Sequence, residues 1–425
     1  MSVWRCVVCA VGFVLTAVLQ QYVLAAGARL PNIVVFLVDD LGWRDLQCYG
    51  SEFHRTPRID EFAARGVRFT QAYAACHVCS PTRASVLTGR YPARLKLTDW
   101  LPGRRDFAFQ KLRNAATIQQ LPLSEVTVAE VLREHGYRTA HIGKWHLGED
   151  PGGPLQQGFD VRVPNWNKGW PKTGFYAPFD LDGLPDQPGD YLTDRLTDEA
   201  EKFMETQRDV PFFLYFSHFA AMVGALDESF GRVVDCLRRL GLEQDTVVLL
   251  CSDNGGMSAA NFGRPGRRIA ADQLDAAWST SNLPLRGGKG WLYEGGIRVP
   301  LIVRVPNGRP DQHCDGVSLA GLLSDGGALP AREALYWHFP HYSNHGMQSP
   351  GGAVRCGDFK LIEYFENYSV QLFNLREDPG EQTDLAGLLP ERVQELRGRL
   401  QRWRTEVGAV LPQSNPDYRE DTESR

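Results

Sequence analysis

Long apolar runs, clustered basic residues and paired cysteines are all scarce in this chain, and each scarcity removes a class of function. A membrane-spanning helix needs about 20 consecutive apolar residues. Nothing beyond residue 28 approaches that, so no stable span is expected in the mature protein. Lysine and arginine total 46 against 51 aspartates and glutamates, and no basic run or basic–aromatic repeat occurs. Nucleic acid is therefore not an expected partner, and an anionic ligand must be met by a few local cations. Of nine cysteines, Cys6 and Cys9 fall within the first 28 residues. The other seven (Cys48, Cys76, Cys79, Cys236, Cys251, Cys314 and Cys356) are odd in number and scattered, unlike a disulfide framework. Internal repeats and low-complexity tracts are absent.

What is present begins with residues 1–28. Arg5 precedes an apolar stretch, Cys6 to Leu19, and small residues follow at Ala25, Ala26 and Ala28. That pattern reads as a secretory signal, and the chain is expected to be exported, periplasmic or secreted. A retained N-terminal anchor is the alternative. With 425 residues and 43% hydrophobic composition, the chain can bury a large core and a smaller second one.

Asn32 to Val38 is a continuous apolar, β-branched run that ends in Asp39-Asp40. It reads as a buried parallel strand delivering two acids at its carboxyl end. Similar runs at Thr139–Ile142, Phe212–Ser217 and Thr246–Cys251 alternate with helical patterns such as Val126–His135 and Ala221–Leu240. The expected fold is α/β, a large, mostly parallel sheet sandwiched by helices, over residues 29–330. From 331 to 412 shorter strand patterns precede a helix at Pro390–Val407, which reads as a small α+β domain with a short antiparallel sheet. The polar tail, 413–425, is expected to be disordered.

In open α/β sheets, ligands gather beyond the carboxyl ends of the strands. Asp39, Asp40, Lys144, His146, Asp253 and Asn254 all fall just after expected strands. Taken singly each has a bland reading: Asp39-Asp40 as a helix cap, Asp253-Asn254-Gly255 as a turn, His146 as a structural hydrogen-bonder, Lys289 in its Gly-rich loop as a solvated cation. Taken together, three carboxylates and an amide oxygen suit a hard cation such as calcium or magnesium. Cys76-x-x-Cys79 could be a redox or zinc pair, but no second pair in the mature chain completes a zinc site.

Cys79-Ser80-Pro81-Thr82-Arg83, followed by Leu87-Thr88-Gly89-Arg90, resembles the signature of the type I sulfatases, of the arylsulfatase and N-acetylgalactosamine-6-sulfatase kind. Val38-Asp39-Asp40-Leu41-Gly42, Gly143-Lys144-Trp145-His146-Leu147-Gly148, Ser252-Asp253-Asn254-Gly255-Gly256 and Leu285-Arg286-Gly287-Gly288-Lys289-Gly290 resemble further segments of that family. The likeness runs from about Pro31 to Tyr418. It implies an alkaline-phosphatase-like fold and hydrolysis of sulfate monoesters, aryl or carbohydrate. It also implies that Cys79 is oxidised to formylglycine by dedicated generating machinery. In the family the residues matching Asp39, Asp40, Asp253 and Asn254 bind one divalent cation, usually calcium, together with the residue at position 79. Arg83, Lys144 and Lys289 would then neutralise the sulfate. Asp253 would deprotonate the hydrated aldehyde, and His146 would assist release of sulfate.

The chain departs from the family in two places. A His-Thr-Pro stretch that supplies a leaving-group acid is absent where Ser217-His218-Phe219-Ala220 runs into the next helix, and His218 is the only candidate nearby. A helix expected after Pro300–Arg304 is replaced by the polar link Pro306–Cys314. Uncovering ~400 Å² of apolar sheet at ~25 cal/mol/Å² would cost ~10 kcal/mol unless neighbouring parts repack. Two rivals stay open: a phosphohydrolase of the same superfamily, which would want a Ser or Thr nucleophile and extra His ligands for zinc, and an impaired sulfatase fold that binds sulfated glycans.

Overall fold

The computed structural model describes residues 30–257, 280–305, 333–344 and 348–419. The signal reading at 1–28 and the link Pro306–Cys314 lie outside them. Strands β1 (Asn32–Val38), β2 (Val67–Tyr73), β3 (Leu112–Arg113), β4 (Arg138–Gly143), β5 (Val161–Val163), β6 (Phe212–Ser217), β7 (Thr246–Ser252) and β8 (Arg298–Arg304) come first. All but β3 form one sheet in the order β2-β8-β7-β1-β6-β4-β5. Its centre is parallel: β1 pairs with β6 and β7, and β4 with β5 and β6. Antiparallel β8 and β2 complete the edge beyond β7.

Continuous apolar runs appear in the centre because both faces are covered. Ile33, Val35 and Leu37 of β1 join one core, and Val34, Phe36 and Val38 join the other. Helices α1 (Pro57–Arg65), α2 (Cys79–Thr88), α3 (Pro92–Leu95), α4 (Val128–Glu134), α5 (Leu192–Thr206) and α6 (Val223–Arg239) follow in chain order. Leu196, Ala200, Phe203, Phe230, Val233 and Leu237 of α5 and α6 fill one face. Ala84 and Leu87 of α2 with Ala129 and Leu132 of α4 fill the other. The exposure expected from the missing helix is not seen on β7 and β8: Val247, Leu249, Leu301 and Val303 are buried on one side, Val248, Leu250 and Ile302 on the other.

A second sheet, β9 (Leu335–Phe339), β10 (Gly351–Cys356), β11 (Phe359–Tyr364) and β12 (Val370–Asn374), is antiparallel throughout. The short helix α7 (Glu294–Ile297) lies between β7 and β8 in sequence, and α8 (Pro390–Val407) follows β12. Leu396, Leu400 and Trp403 of α8 pack on Val354, Leu361 and Leu372. The opposite face, with Trp337, Ala353, Ile362 and Phe373, packs on Leu292, Tyr293 and Ile297. That contact braces the Gly-rich loop carrying Lys289. The tail departs from expectation: β13 (Gln413–Ser414) pairs with β3, and Asn415 Nδ2 donates to the carbonyl oxygens of Phe107 and Gln110 at 3.1 and 2.8 Å. Residues 413–419 are thus part of the fold, with this asparagine bonded to the backbone of a distant loop.

A buried ion triad ties the two parts together. Lys360 Nζ lies 2.9 Å from both Glu294 Oε1 and Glu381 Oε1, and all three side chains are fully buried. Tyr73 donates to Glu294 Oε2 at 2.6 Å. Removing one member of such a group leaves an uncompensated buried charge, costing about 3–5 kcal/mol. Lys360→Met is expected to lose that much in urea unfolding followed by tryptophan fluorescence; an unchanged midpoint would show the triad to be dispensable.

Candidate active site

Parallel neighbours end on the same edge of the sheet, so β1, β4, β6 and β7 discharge their next residues into one place. Asp39 and Asp40 follow β1, Lys144 and His146 follow β4, and Asp253 and Asn254 follow β7. The turn after β4 needs glycine: Gly143 has φ +103°, and a Cβ there would sit 1.9 Å from the Ser217 carbonyl oxygen. Asp40 and His146 each hold φ 58°, a left-handed conformation that costs a non-glycine residue about 1–3 kcal/mol and concentrates at functional sites. Cys79 opens α2 from the facing side, and Arg83 stands one turn along it.

Arg83, wholly buried, organises the floor. Its Nε donates to Asp253 Oδ2 at 2.8 Å, Nη1 to the Lys144 carbonyl oxygen at 2.8 Å and also to Ser217 Oγ, and Nη2 to Asp39 Oδ1 at 3.3 Å. Lys144 Nζ donates to Asp39 Oδ1 at 2.6 Å. Lys289 Nζ reaches Asp40 Oδ1 at 2.6 Å, Asp40 Oδ2 at 2.8 Å and Cys79 Sγ at 3.3 Å. Asn254 Nδ2 donates to Asp40 Oδ1 at 2.7 Å. These contacts join eight of the residues singled out from sequence, and His146 lines the cavity beside them.

The charges show what the cluster wants. Burial works to raise the Asp39 carboxyl, but Lys144, Lys289 and Arg83 hold it well below the usual carboxylate range. For Asp253 burial and the neighbouring Asp39 outweigh Arg83, and its pKa is pushed up to about 7. Burial would lower the Lys289 ammonium, yet Asp40, Cys79 and Asp39 hold it well above its ordinary value. The Cys79 thiol is pushed up to about 12, first by burial and then by Asp39. Burial, then Lys144, lower His146 strongly, so its imidazole is neutral. His146 Nε2 lies 2.7 Å from the Leu101 carbonyl oxygen, which can only accept. Nε2 must carry the proton, leaving Nδ1, buried and without a partner, as the lone-pair nitrogen.

A divalent cation fits these residues. Ligand atoms of Asp39, Asp253 and Cys79 lie within 4.8 Å of one another. Asn254 Oδ1 is buried without a hydrogen-bond partner beside them, and Asp253 retains a proton to unusually high pH for want of positive charge. Carboxylate and amide oxygens are the donor set of a hard ion.

Above this floor a cavity of about 390 Å³ is lined by Asp39, Asp40, Cys79, Lys144, His146 and Lys289, with a rim that includes Trp100, Trp170, Phe175 and Asn344. The rim residues carried no signal in the sequence. Gly169 covers His146: a Cβ there would lie 2.5 Å from its Cε1. His218, considered as a leaving-group acid, does not line this cavity. Its Nε2 lies 3.0 Å from Ser229 Oγ, its ring packs on Phe36 and Phe216, and burial lowers its pKa to about 3. It is a core histidine.

Comparison with known proteins agrees with this geometry. The fold matches the crystal structure of Ps i-CgsB in complex with k-i-k-neocarrahexaose with a TM-score of 0.71 at 23% identity, covering 93% of this chain and 96% of that one. The Sulfatase family model matches residues 31–219 and 216–319, and that of the N-sulphoglucosamine sulphohydrolase C-terminal region matches 308–406. Human arylsulfatase A is 31% identical over 496 residues, covering 91% of each chain. Mouse steryl-sulfatase is 33% identical over 400 residues, covering 69% of this chain and 61% of its own length. An alignment of 496 positions exceeds the 425 residues here, so the arylsulfatase carries segments that this chain lacks. The chain belongs to the type I sulfatase family.

Binding an ion to the folded state alone stabilises it by about 2.7 kcal/mol at a hundredfold excess over Kd. Calcium is therefore expected to raise the calorimetric unfolding temperature of the wild type, and Asp253→Asn to abolish most of that rise. A wild type indifferent to both calcium and chelator would mean that the acids hold no ion.

Proposed function

We propose that this chain is an exported sulfatase that hydrolyses sulfate monoesters of aryl or carbohydrate alcohols. Cys79 is the source of its nucleophile, and calcium is its ion. One observation carries this reading: Cys79, Lys144, Lys289 and His146 face a single cavity whose floor is the acid cluster of Asp39, Asp40 and Asp253. The names arylsulfatase A, steryl-sulfatase and N-acetylgalactosamine-6-sulfatase borne by relatives agree on the sulfate ester and differ in the alcohol. The apolar stretch at 1–28 supports export, and among the described residues no helix is long and apolar enough to cross a membrane.

An unmodified thiol suits this site poorly. With its pKa near 12 it is protonated at neutral pH, and thiolate is the reactive form. When present, an ion held by Asp39, Asp40, Asp253 and Asn254 would supply Lewis-acid charge beside position 79, where a formylglycine would supply an oxygen nucleophile. The chain's own residues do the rest. Lys144 and Lys289 bring positive charge to the cavity wall, where the oxygens of a sulfate sit and charge moves toward the leaving group. Arg83 keeps Asp39 and Asp253 oriented from below. The Asp253 carboxyl lies within 4.8 Å of Cys79 Sγ, close enough to act on a proton at position 79, and His146 can take a proton at Nδ1.

The direct test is mass analysis of the peptide bearing Cys79, from protein made in a host with the modifying machinery. A carbonyl in place of the thiol is expected; an intact thiol would favour the glycan-binding reading. Lys144→Ala is expected to lower kcat by about 10²–10³ on any sulfate ester, as loss of one charge-stabilising donor does.

Among the described residues no histidine besides His146 lines the cavity, so esters of activated phenols should outpace sugar sulfates. The missing assistance is typically worth about 10²–10⁴ in rate. Equal kcat values for 4-nitrophenyl sulfate and a monosaccharide sulfate would mean that another group supplies the proton.

A further inference from the structure

A second chamber of about 630 Å³ opens beside the sulfate cavity and shares Asp39, Asp40, Phe175, Ala220 and Met257 with it. It lies where the chain passes from β6 to α6 through only five residues, His218–Met222. Its walls are Phe53, Phe175, Tyr176, Tyr191 and Met222, with Ala221 and Leu226 behind them. Several of these are unusually open for their kind: Phe53 is 82% exposed, Tyr176 62% and Met222 61%. Exposed aromatics of this number around one hollow call for an occupant. Among the described lining residues the ionisable groups are Asp39, Asp40, Asp45 and His54, with no lysine or arginine. Asp45 is engaged by Thr280 Oγ1 and by the backbone N–H groups of Gly42 and Ser281. Along these described walls a polysulfated or uronate-bearing chain finds no counter-charge and meets acids instead.

Resting on the sulfatase reading, we infer that this chamber receives the alcohol part of the substrate. That alcohol is an apolar, ring-containing group. The sulfate enters against Lys144, Lys289 and position 79, and the ring system lies over Ala220 and Ala221 between Phe175 and Met222. Continuity of the two hollows places the ester oxygen at their junction beside Asp39 and Asp40. Burying aromatic surface there provides binding energy that does not depend on further charges.

The closing experiment has two arms. Purified full-length protein is titrated calorimetrically with 2-naphthol, an apolar alcohol that needs neither the ion nor an oxidised Cys79 to bind. Saturable binding is expected, weakened about tenfold or more when Met222→Lys places a charge in the wall or Tyr176→Ala removes a ring. Both positions are exposed, so both variants should fold, which circular dichroism checks. In the second arm, kcat/KM for 2-naphthyl sulfate is expected to exceed that for galactose 6-sulfate, and Met222→Lys to shrink the ratio about tenfold. No saturable naphthol binding, or binding untouched by both substitutions, overturns the chamber assignment even if sulfate esters are cleaved. Naphthol binding with no ester cleaved overturns the sulfatase reading, and the substrate class falls with it.

Discussion

The pairing of one buried arginine with two buried aspartates from neighbouring strands is the constraint on which this site rests. Arg83 has no exposed surface, and its guanidinium spans Asp253 beyond β7 and Asp39 beyond β1. An ion of that kind in a protein interior costs several kcal/mol unless geometry and hydrogen bonds offset it. Here the planar fork uses every nitrogen, two toward carboxylates and the third toward the Lys144 carbonyl and Ser217 Oγ. Four separate segments, the ends of β1, β4, β6 and β7, are thereby fixed relative to the first turns of α2. Position 79 sits one helical turn before Arg83, so the same pairing sets where Cys79 points. A lysine could not span these partners, because it presents a point charge and not a fork.

How far the sequence revealed this depended on whether the information was local. The run Asn32 to Val38 announced a doubly covered strand because its uninterrupted apolar pattern has few other uses, and Asp39-Asp40 could be placed at its end. Asp253-Asn254 after Thr246–Cys251 followed by the same reasoning. Arg83 and Lys289 were legible only through resemblance, since neither sits at a strand end. The rim residues Trp100, Trp170, Phe175 and Asn344 come from separate loops, and nothing in their neighbours marks them. Asn415 was hidden for a related reason. Its polar surroundings look like a loose tail, yet its amide closes two backbone carbonyls of a distant loop. Lys360, Glu294 and Glu381 were invisible because charged residues are normally read as solvated, and only tertiary packing shows three of them sharing a core.

The shortened passage from β6 to α6 explains two findings at once. A five-residue link cannot carry the histidine loop that the family places there, so His218 turns into the helical layer and bonds Ser229. The chamber beside Asp39 and Asp40 opens at this link, where Ala220, Ala221 and Met222 line it. A missing acid and an apolar hollow at one link act in the same direction. Apolar ring alcohols such as phenols are better leaving groups than sugar hydroxyls and have less need of a proton donor.

Charge balance gives a reason for the remaining oddity, the raised pKa of Asp253. Asp39, Asp40 and Asp253 face Arg83, Lys144 and Lys289, so the counts match, yet Asp253 behaves as though it lacked a partner. Position decides this. Lys289 is committed to both oxygens of Asp40, and Lys144 to Asp39, while Arg83 is divided between Asp39 and Asp253. Asp253 is left with half a guanidinium in a fully buried place, where a shared charge is too little to offset the cost of burial. The raised pKa of Asp253 and the orphan oxygen of Asn254 therefore mark the same deficit of positive charge, located between strands β1 and β7. A dication supplies that deficit without disturbing the floor, because Arg83 lies beneath the acids and the cavity lies above them. An apolar redesign of the same volume could stabilise the fold as well, so the deficit itself is the feature that points to binding and not to packing.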